Sequence, residues 1–127
     1  MRQPAVGTRL SFVPPMLPTL VDEPPEGSEW IHEIKYDGWR CQIVIDADGT
    51  RVFTRNGHDY TAKLLPIAKA AAELPAFNAV IDGELILPGV DAKPDFGGLK
   101  AAITPSVRRP VSNGRRCWLR TTAQRQR

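Results

Sequence analysis

Residues 39–55 read WRCQIVIDADGTRVFTR, and this stretch decides the fold of the chain. Its first half alternates apolar with polar side chains, a period of two that marks a half-buried strand. The inward residues of that strand are predicted to be Trp39, Cys41, Ile43 and Ile45. Asp48-Gly49 is a hairpin signal, so residues 50–55 are predicted to return as a second strand before a turn at Asn56-Gly57.

The residues before this hairpin divide into two parts. Residues 30–35 read WIHEIK and predict another strand, which ends at the Asp37-Gly38 turn. Residues 1–28 contain six prolines and are therefore expected to be extended rather than helical. Five apolar residues are candidates to strap this segment across the domain: Phe12, Met16, Leu17, Leu20 and Val21.

The residues after the hairpin predict two helices and a further strand. Pro66 is suited to the first turn of a helix that ends at Leu74-Pro75. Its inward face is predicted to hold Ile67, Ala68, Ala71 and Leu74. Residues 77–87 are largely apolar and predict a buried strand. A second helix over residues 95–103 is expected, capped by Asp95, with Phe96, Leu99 and Ile103 inward. The fold class is α+β, with antiparallel strands and one or two packed helices.

Beyond Thr104 the periodicity disappears, and residues 105–127 are expected to form a basic, disordered tail. From residue 101 onward the chain has seven arginines and no acidic residue, so residues 1–100 hold ten of the 17 basic residues against all 14 acids. The positive net charge of +3 therefore comes from the tail. A basic arm can bind nucleic acid through phosphate contacts, but a solvated terminus is the simpler interpretation.

Composition sets the general class of the protein. A chain of 127 residues, 42% hydrophobic and 24% charged, is typical of one globular domain with a modest core. No apolar run approaches the roughly 18 residues of a membrane span, and the N-terminus lacks the apolar core of a signal peptide. Two cysteines, Cys41 and Cys117, do not suggest a disulfide framework, so a cytoplasmic location is expected.

The most informative short segment is Lys35-Tyr36-Asp37-Gly38-Trp39-Arg40. A deprotonated lysine amine can attack phosphorus, and a nearby arginine can hold phosphate oxygens through its planar fork of donors. The segment resembles the first motif of the covalent nucleotidyltransferases: ATP-dependent DNA ligases, RNA ligases and mRNA capping enzymes.

Two further segments carry the resemblance in the expected order. Arg55-Asn56-Gly57, preceded by a threonine, is similar to the second motif of the family, and Asp82-Gly83-Glu84 is similar to the third. The surrounding sequence most resembles bacterial ligases of the non-homologous end-joining type, over roughly residues 12 to 103. The resemblance implies a partial ATP-grasp-like nucleotidyltransferase domain.

The later motifs of the family do not follow Ile103. We therefore expect residues 29–104 to be the front part of a ligase adenylation domain that stops early. A frameshift or premature stop is one hypothesis for the arginine-rich residues that follow, and sequencing the locus for the missing motifs in another frame would test it.

The resemblance assigns the nucleophile and the adenine contacts. Lys35 would attack the α-phosphorus of ATP and form lysyl-AMP, whereas without the motifs it would be an exposed lysine at a strand end. Glu33 shares a strand face with Lys35 because residues two apart point the same way. Glu33 and the backbone of Ile34 would face adenine, although a solvent-facing glutamate fits the sequence equally well.

The resemblance also assigns phosphate, ribose and metal contacts. Arg40 and Arg55 would bind phosphate and ribose, although isolated strand arginines are usually solvated. Glu84 would hold a ribose hydroxyl or Mg²⁺, unless the chain turns back in a hairpin at Asp82-Gly83 and leaves Glu84 merely exposed. The remaining motif residues would support the site: Tyr36, Asp37, Gly38, Asn56, Gly57, Asp82 and Gly83.

The function implied is ATP-dependent DNA ligation: enzyme adenylation, AMP transfer to a 5′-phosphate, and attack by a 3′-hydroxyl. ATP and Mg²⁺ would be the co-substrate and metal, and nicked or broken DNA and end-joining proteins the partners, with no membrane involved. Activity is expected to be impaired because the later motifs are missing. The alternative is a non-catalytic remnant that binds nucleotide weakly or contacts DNA or a partner through its basic tail.

Overall fold

Four antiparallel strands and two short helices form the computed structural model, which describes residues 9–32, 35–91 and 93–104 and the backbone of 118–121. In chain order the elements are β1 (Trp39–Asp46), β2 (Gly49–Thr54), α1 (Leu65–Ala72), β3 (Ala79–Ile86), α2 (Phe96–Ile103) and β4 (Trp118–Thr121). The strands lie in the order β2-β1-β3-β4. The α+β class with antiparallel strands is confirmed.

The predicted hairpin at the centre of the sheet is also confirmed. β1 and β2 pair antiparallel from Cys41 opposite Thr54 to Asp46 opposite Gly49, which leaves a two-residue turn. Gly49 has φ 108°, a left-handed conformation that glycine adopts without steric cost. β1 pairs with β3 on its other side, and residues 82–84 lie within β3. The alternative of a hairpin turned at Asp82-Gly83 is therefore wrong.

The helices pack on one face of the sheet and enclose the hydrophobic core. Ile43, Val52 and Leu85 of three adjacent strands are at most 1% exposed, and α1 and α2 cover them. The helix residues that reach this core are Ala68, Ala71, Leu99 and Ile103. Asp95 caps α2 as predicted, because its carboxylate accepts a 2.8 Å hydrogen bond from the Gly98 amide.

Two side chains predicted to be inward, Leu74 and Phe96, are exposed instead, and so is Phe77, the first residue of the predicted buried strand. Leu74 is 47% exposed because α1 ends at Ala72, before Leu74 can continue the buried face. Phe77 is 90% exposed because β3 begins only at Ala79. Phe96 is 46% exposed in the first turn of α2.

β1 is buried on both faces, which corrects the prediction of a half-buried strand. Every residue from Cys41 to Asp46 is buried because residues 9–16, here called the N-terminal strap, cover the face opposite the helices. The Leu10 amide donates to Asp46 at 2.7 Å. The Gln42 amide group exchanges two 2.8 Å hydrogen bonds with the backbone of Val13. The strap thus satisfies the buried polar side chains of β1, whose desolvation would otherwise be costly.

Backbone polar groups hold this segment more than the predicted apolar anchors do. Phe12 packs against Phe53 of β2, with ring centroids 5.9 Å apart. The other four proposed anchors are between 58% and 96% exposed: Met16, Leu17, Leu20 and Val21. The prediction that these four pack on the domain is wrong for the described chain.

The strand predicted over residues 30–35 does not form in its described residues. Residues 30–32 and Lys35 are irregular, and Ile31 is 87% exposed. β1 already pairs with β2 on one side and β3 on the other, so it offers this segment no free edge. Glu33 and Ile34 lie outside the described residues.

β4 lies within the segment predicted to be a disordered tail. The backbone of Trp118–Thr121 pairs antiparallel with residues 83–86 of β3. The tail prediction therefore does not hold for these four residues, and the rest of residues 105–127 lies outside the described part. Within the described residues, no helix is both long enough and apolar enough to cross a membrane.

Gly38 stands where β1 begins and lies directly against β3. A Cβ atom there would overlap the carbonyl oxygen of Leu85 and lie 2.9 Å from Ile86 Cγ2. The Gly38 amide donates a 3.1 Å hydrogen bond to Glu84 Oε1. Only glycine allows both the close approach and this hydrogen bond.

We expect Gly38→Ala to lower the free energy of unfolding by about 1–3 kcal/mol, because the added methyl group forces β1 and β3 apart. Urea denaturation monitored by circular dichroism measures this. The control is Gly97→Ala in α2, where the nearest atom to a new Cβ is 3.8 Å away and alanine favours the helix. Equal stability of the two variants would contradict the packing argument.

Asp46 should make the stability of the domain sensitive to acid. The hydrogen bond from Leu10 and others from Asp48 and Arg51 lower the pKa of Asp46 below its usual range. A carboxylate with a lowered folded-state pKa stabilises the fold above its unfolded pKa of about 3.9, and this contribution is lost as the pH falls through the folded pKa.

We therefore expect Asp46→Asn to be less stable than wild type at neutral pH, with the difference shrinking in acid. Thermal melts at a series of pH values measure it. Asp48→Asn is the matched control, since that carboxylate is half exposed and pairs with Arg9 on the surface. If the stability difference between wild type and Asp46→Asn stayed constant with pH, the Asp46 carboxylate would not be the source of the acid sensitivity.

Candidate functional site

The motif residues meet in a cleft of about 480 Å³ at the end of the sheet where β1 begins. We call it the Lys35 cleft. Lys35 lies just before β1, Arg55 just after β2, Glu84 in β3, and α2 closes the remaining side. The lining residues are Lys35, Gly38, Trp39, Arg40, Arg55, Glu84, Phe96, Leu99 and Lys100. Residues up to 65 positions apart in the sequence thus share one concave surface.

Glu84 connects the lysine segment to the sheet. Its carboxylate is half-buried and accepts the hydrogen bond from Gly38. The pKa of Glu84 is raised above its ordinary value, chiefly by burial, although the Gly38 hydrogen bond and the positive charges of Arg40 and Lys35 oppose the increase. The negative charge of Asp37 also raises the pKa of Glu84. Glu84 is thus a carboxylate held in place by a backbone amide, with charged groups of both signs nearby.

Arg40 lines the cleft but already has two protein partners. Its guanidinium makes a two-point ion pair with Asp82, with distances of 2.7 and 3.2 Å. Its third nitrogen donates to the carbonyl oxygen of Met16 in the strap at 3.0 Å. Arg40 and Asp82 point to the same face of the sheet because Arg40 pairs with Glu84 and Gln42 pairs with Asp82. Arg40 is therefore oriented by the protein before any ligand binds.

Lys35 and Arg55 are the exposed cations of the cleft among the motif residues. Within the described part of the chain, no carboxylate lies within 4.0 Å of either charged group. Exposure allows both side chains to move toward a bound anion.

The supporting motif residues lie around the cleft. Gly57 has φ 82° and packs against Phe12, and Asn56 precedes it in the exposed turn. Gly83 is buried opposite Cys41 on the core face. These residues shape the sheet and turn and do not line the cleft. Tyr36 is half-buried beside exposed Asp37.

Four lining residues were not predicted to belong to the site: Trp39, Phe96, Leu99 and Lys100. The sequence predicts Trp39, Phe96 and Leu99 only as core positions. The positions of Phe96, Leu99 and Lys100 correspond to i, i+3 and i+4 of one helix, which share a face. That spacing was the available signal, but only the tertiary structure turns this face toward Lys35.

Cys41 is not suited to act as a nucleophile near the Lys35 cleft. It is 4% exposed, and burial raises the pKa of its thiol to about 12. A thiol that stays protonated packs as a small apolar side chain.

A single carboxylate lines the cleft, so a magnesium ion there would need phosphate oxygens of a ligand and water for its other ligands. Glu84 is the acidic residue that lines the cleft, and the described residues contain no group of three potential metal-ligating side chains. Magnesium often binds through one or two carboxylates together with phosphate oxygens and waters. Glu84 is therefore suited to complete the coordination of such an ion.

Comparison with known proteins gives the family. The ATP dependent DNA ligase domain family matches residues 15–113. The multifunctional non-homologous end joining protein LigD of Pseudomonas aeruginosa is 41% identical over 91 residues, which are 72% of this chain and 11% of that protein. The bifunctional non-homologous end joining protein LigD of Bacillus subtilis is 34% identical in an alignment of 93 positions, which covers 67% of this chain and 15% of that protein. The chain thus spans only a small part of these relatives.

The fold comparison agrees with the sequence comparison. The crystal structure of the ligase domain from Mycobacterium tuberculosis LigD superposes with a TM-score of 0.56 at 22% identity, over 71% of this chain and 27% of that one. This likeness supports the sheet and helix arrangement of a ligase nucleotidyltransferase domain. The family match over most of the chain, its agreement with the three motifs and the shared fold lead to one conclusion: the chain belongs to the ATP-dependent DNA ligase domain family.

Proposed function

We propose that this chain is the front part of a ligase adenylation domain and that Lys35 forms lysyl-AMP with ATP. The observation that carries the proposal is the Lys35 cleft, in which a lysine, two arginines and a carboxylate from three separate motifs line one surface. A chance set of motif-like segments would have no reason to converge in space.

The reaction follows from the side chains at the cleft. The deprotonated Nζ of Lys35 attacks the α-phosphorus of ATP, an N–P bond forms, and the bond to the departing pyrophosphate oxygen breaks. Arg55 and Arg40 oppose the negative charge on the reacting phosphoryl group. Glu84 contacts the ribose or helps to hold Mg²⁺, which when bound neutralises phosphate charge.

The DNA substrate is the next part of the proposal. The relatives named above are end-joining proteins, so nicked or broken DNA is the proposed recipient of AMP, and end-joining proteins and a cytoplasmic location are proposed with it. The later motifs of the family are not among these 127 residues. We therefore predict little ligation by this polypeptide alone.

A non-catalytic role is the second candidate. Arg40 is engaged by Asp82 and Met16, and Lys35 is exposed to water. A remnant with these features would bind nucleotide weakly without forming a covalent bond. Contact with DNA or a partner through the basic tail involves residues outside the described part of the chain. RNA ligation and capping have less support, because the relatives are DNA end-joining proteins.

Incubation with ATP and Mg²⁺ followed by intact-protein mass spectrometry tests the adenylation step. We expect an added AMP on the wild type and none on Lys35→Ala, because the phosphoramidate forms at Nζ. Lys63→Ala is the control, since that lysine lies over the Tyr60 ring at 4.1 Å and does not line the cleft. A folded wild type that stays unmodified would favour the non-catalytic candidate.

Asp82→Asn tests whether the ion pair positions Arg40 for phosphate. The pair is partly exposed, with side-chain exposures of 30% and 45%, so its loss should cost less than about 1 kcal/mol of stability. We expect slower AMP labelling and a raised ATP concentration at half-maximal rate, because Arg40 loses its fixed orientation. Asp48→Asn removes a surface ion pair elsewhere and should label normally. Unchanged labelling kinetics in Asp82→Asn would show that Asp82 has only a structural role.

A further inference from the structure

α2 places a lysine outside the three motifs at the wall of the Lys35 cleft. Phe96, Leu99 and Lys100 all line the cleft, as their spacing on one helix face requires. Leu99 is 1% exposed and anchors this turn of α2 in the core. The backbone that carries Lys100 is therefore fixed, while its exposed side chain remains free to reach into the cleft.

The charges that line the cleft favour an anion. Four cations and one carboxylate line it, and one of the cations, Arg40, is already paired with Asp82. Among the described residues, Lys100, like Lys35 and Arg55, has no carboxylate within 4.0 Å. Apolar side chains of Trp39, Phe96 and Leu99 give the cleft low-dielectric walls, which focus the field of these charges. The cleft volume of about 480 Å³ is in the range of small-molecule sites.

We propose that Lys100 binds the polyphosphate chain of the nucleotide and so determines the preference of the cleft for a triphosphate. The identity of the ligand as ATP rests on the proposed function. A lysine ammonium on a flexible stem suits this task, because it binds phosphate oxygens as a mobile point charge.

Stabilisation of the helix is the competing explanation for Lys100. A cation in the last turn interacts favourably with the helix dipole, and Lys100 occupies that turn of α2. Lys69 occupies the last turn of α1, a helix of the same eight-residue length, and does not line the cleft. Lys69→Ala is therefore a matched control that removes the same charge from the same helical position.

The test is calorimetric titration of the 127-residue chain with ATP, AMP and inorganic tripolyphosphate at low salt. We expect Lys100→Ala to raise the Kd for ATP and tripolyphosphate about ten-fold, as loss of one charged hydrogen bond would. The Kd for AMP should stay within about two-fold, since AMP lacks the phosphates that Lys100 contacts. Lys69→Ala should leave all three constants unchanged, and Lys100→Arg should restore most of the affinity for tripolyphosphate.

Several results would overturn the assignment. The first is a Lys100→Ala variant that loses as much affinity for AMP as for ATP. The second is a Lys69→Ala variant that loses as much affinity as Lys100→Ala does. The third is a folded wild type that does not bind tripolyphosphate. A Lys100→Ala defect confined to a 5′-phosphorylated nicked duplex, with ATP affinity unchanged, would assign the lysine to DNA and also overturn it. Circular dichroism melts establish that each variant is folded.

The test of the Lys100 assignment can fail or succeed independently of the test of the proposed adenylation. Lys100-dependent binding of ATP without any AMP adduct on Lys35 would refute the proposed adenylation and leave the Lys100 assignment standing. An AMP adduct whose formation at limiting ATP is equally fast in wild type and Lys100→Ala would refute only the role of Lys100.

Discussion

The burial of β1 on both faces is the constraint on which the rest of the structure depends. Helices cover one face with apolar side chains, whereas the other face carries Gln42 and Asp46, which need hydrogen-bond partners once water is removed. The N-terminal strap supplies those partners from its own backbone at Leu10 and Val13. A proline-rich segment suits this role, because it is held extended and leaves its backbone groups free of helix or sheet bonds.

The Lys35 cleft depends on the same strand. Gly38 brings the start of β1 against β3 so closely that a Glu84 oxygen accepts its amide hydrogen. Two residues further along the chain, Arg40 contacts both Asp82 on β3 and Met16 in the strap. The three motifs therefore meet at one end of the sheet, and a change in the packing of β1 on β3 would move the charged groups of the cleft.

The charged residues of the cleft form two groups, those held by protein partners and those exposed to solvent. Arg40 and Glu84 are held by protein partners and offer fixed charge, which costs no reorganisation when a ligand binds. Lys35, Arg55 and Lys100 are exposed, so their side chains can change position. The excess of cations over carboxylates gives the cleft an electrostatic preference for an anion.

The sequence by itself determined the elements whose signals are local. The alternation over residues 39–46, the glycine turn after it and the Asp95 cap predicted a hairpin and a helix that the structure confirms. The ordered motifs predicted the family, which the comparisons confirm. Each signal depends on residues a few positions apart, where the period of a strand or helix fixes which side chains share a face.

Only the tertiary structure decided what depends on partners distant in the chain. The second face of β1 is buried because a strap from 29 to 36 residues away supplies its hydrogen bonds. Residues 30–32 and Lys35 are irregular although their composition favours a strand, and β1 offers them no free edge. Lys100 joins the cleft because Leu99 fixes α2 on the sheet. In each case the deciding energy is burial or hydrogen bonding between segments far apart in sequence, which no local pattern encodes.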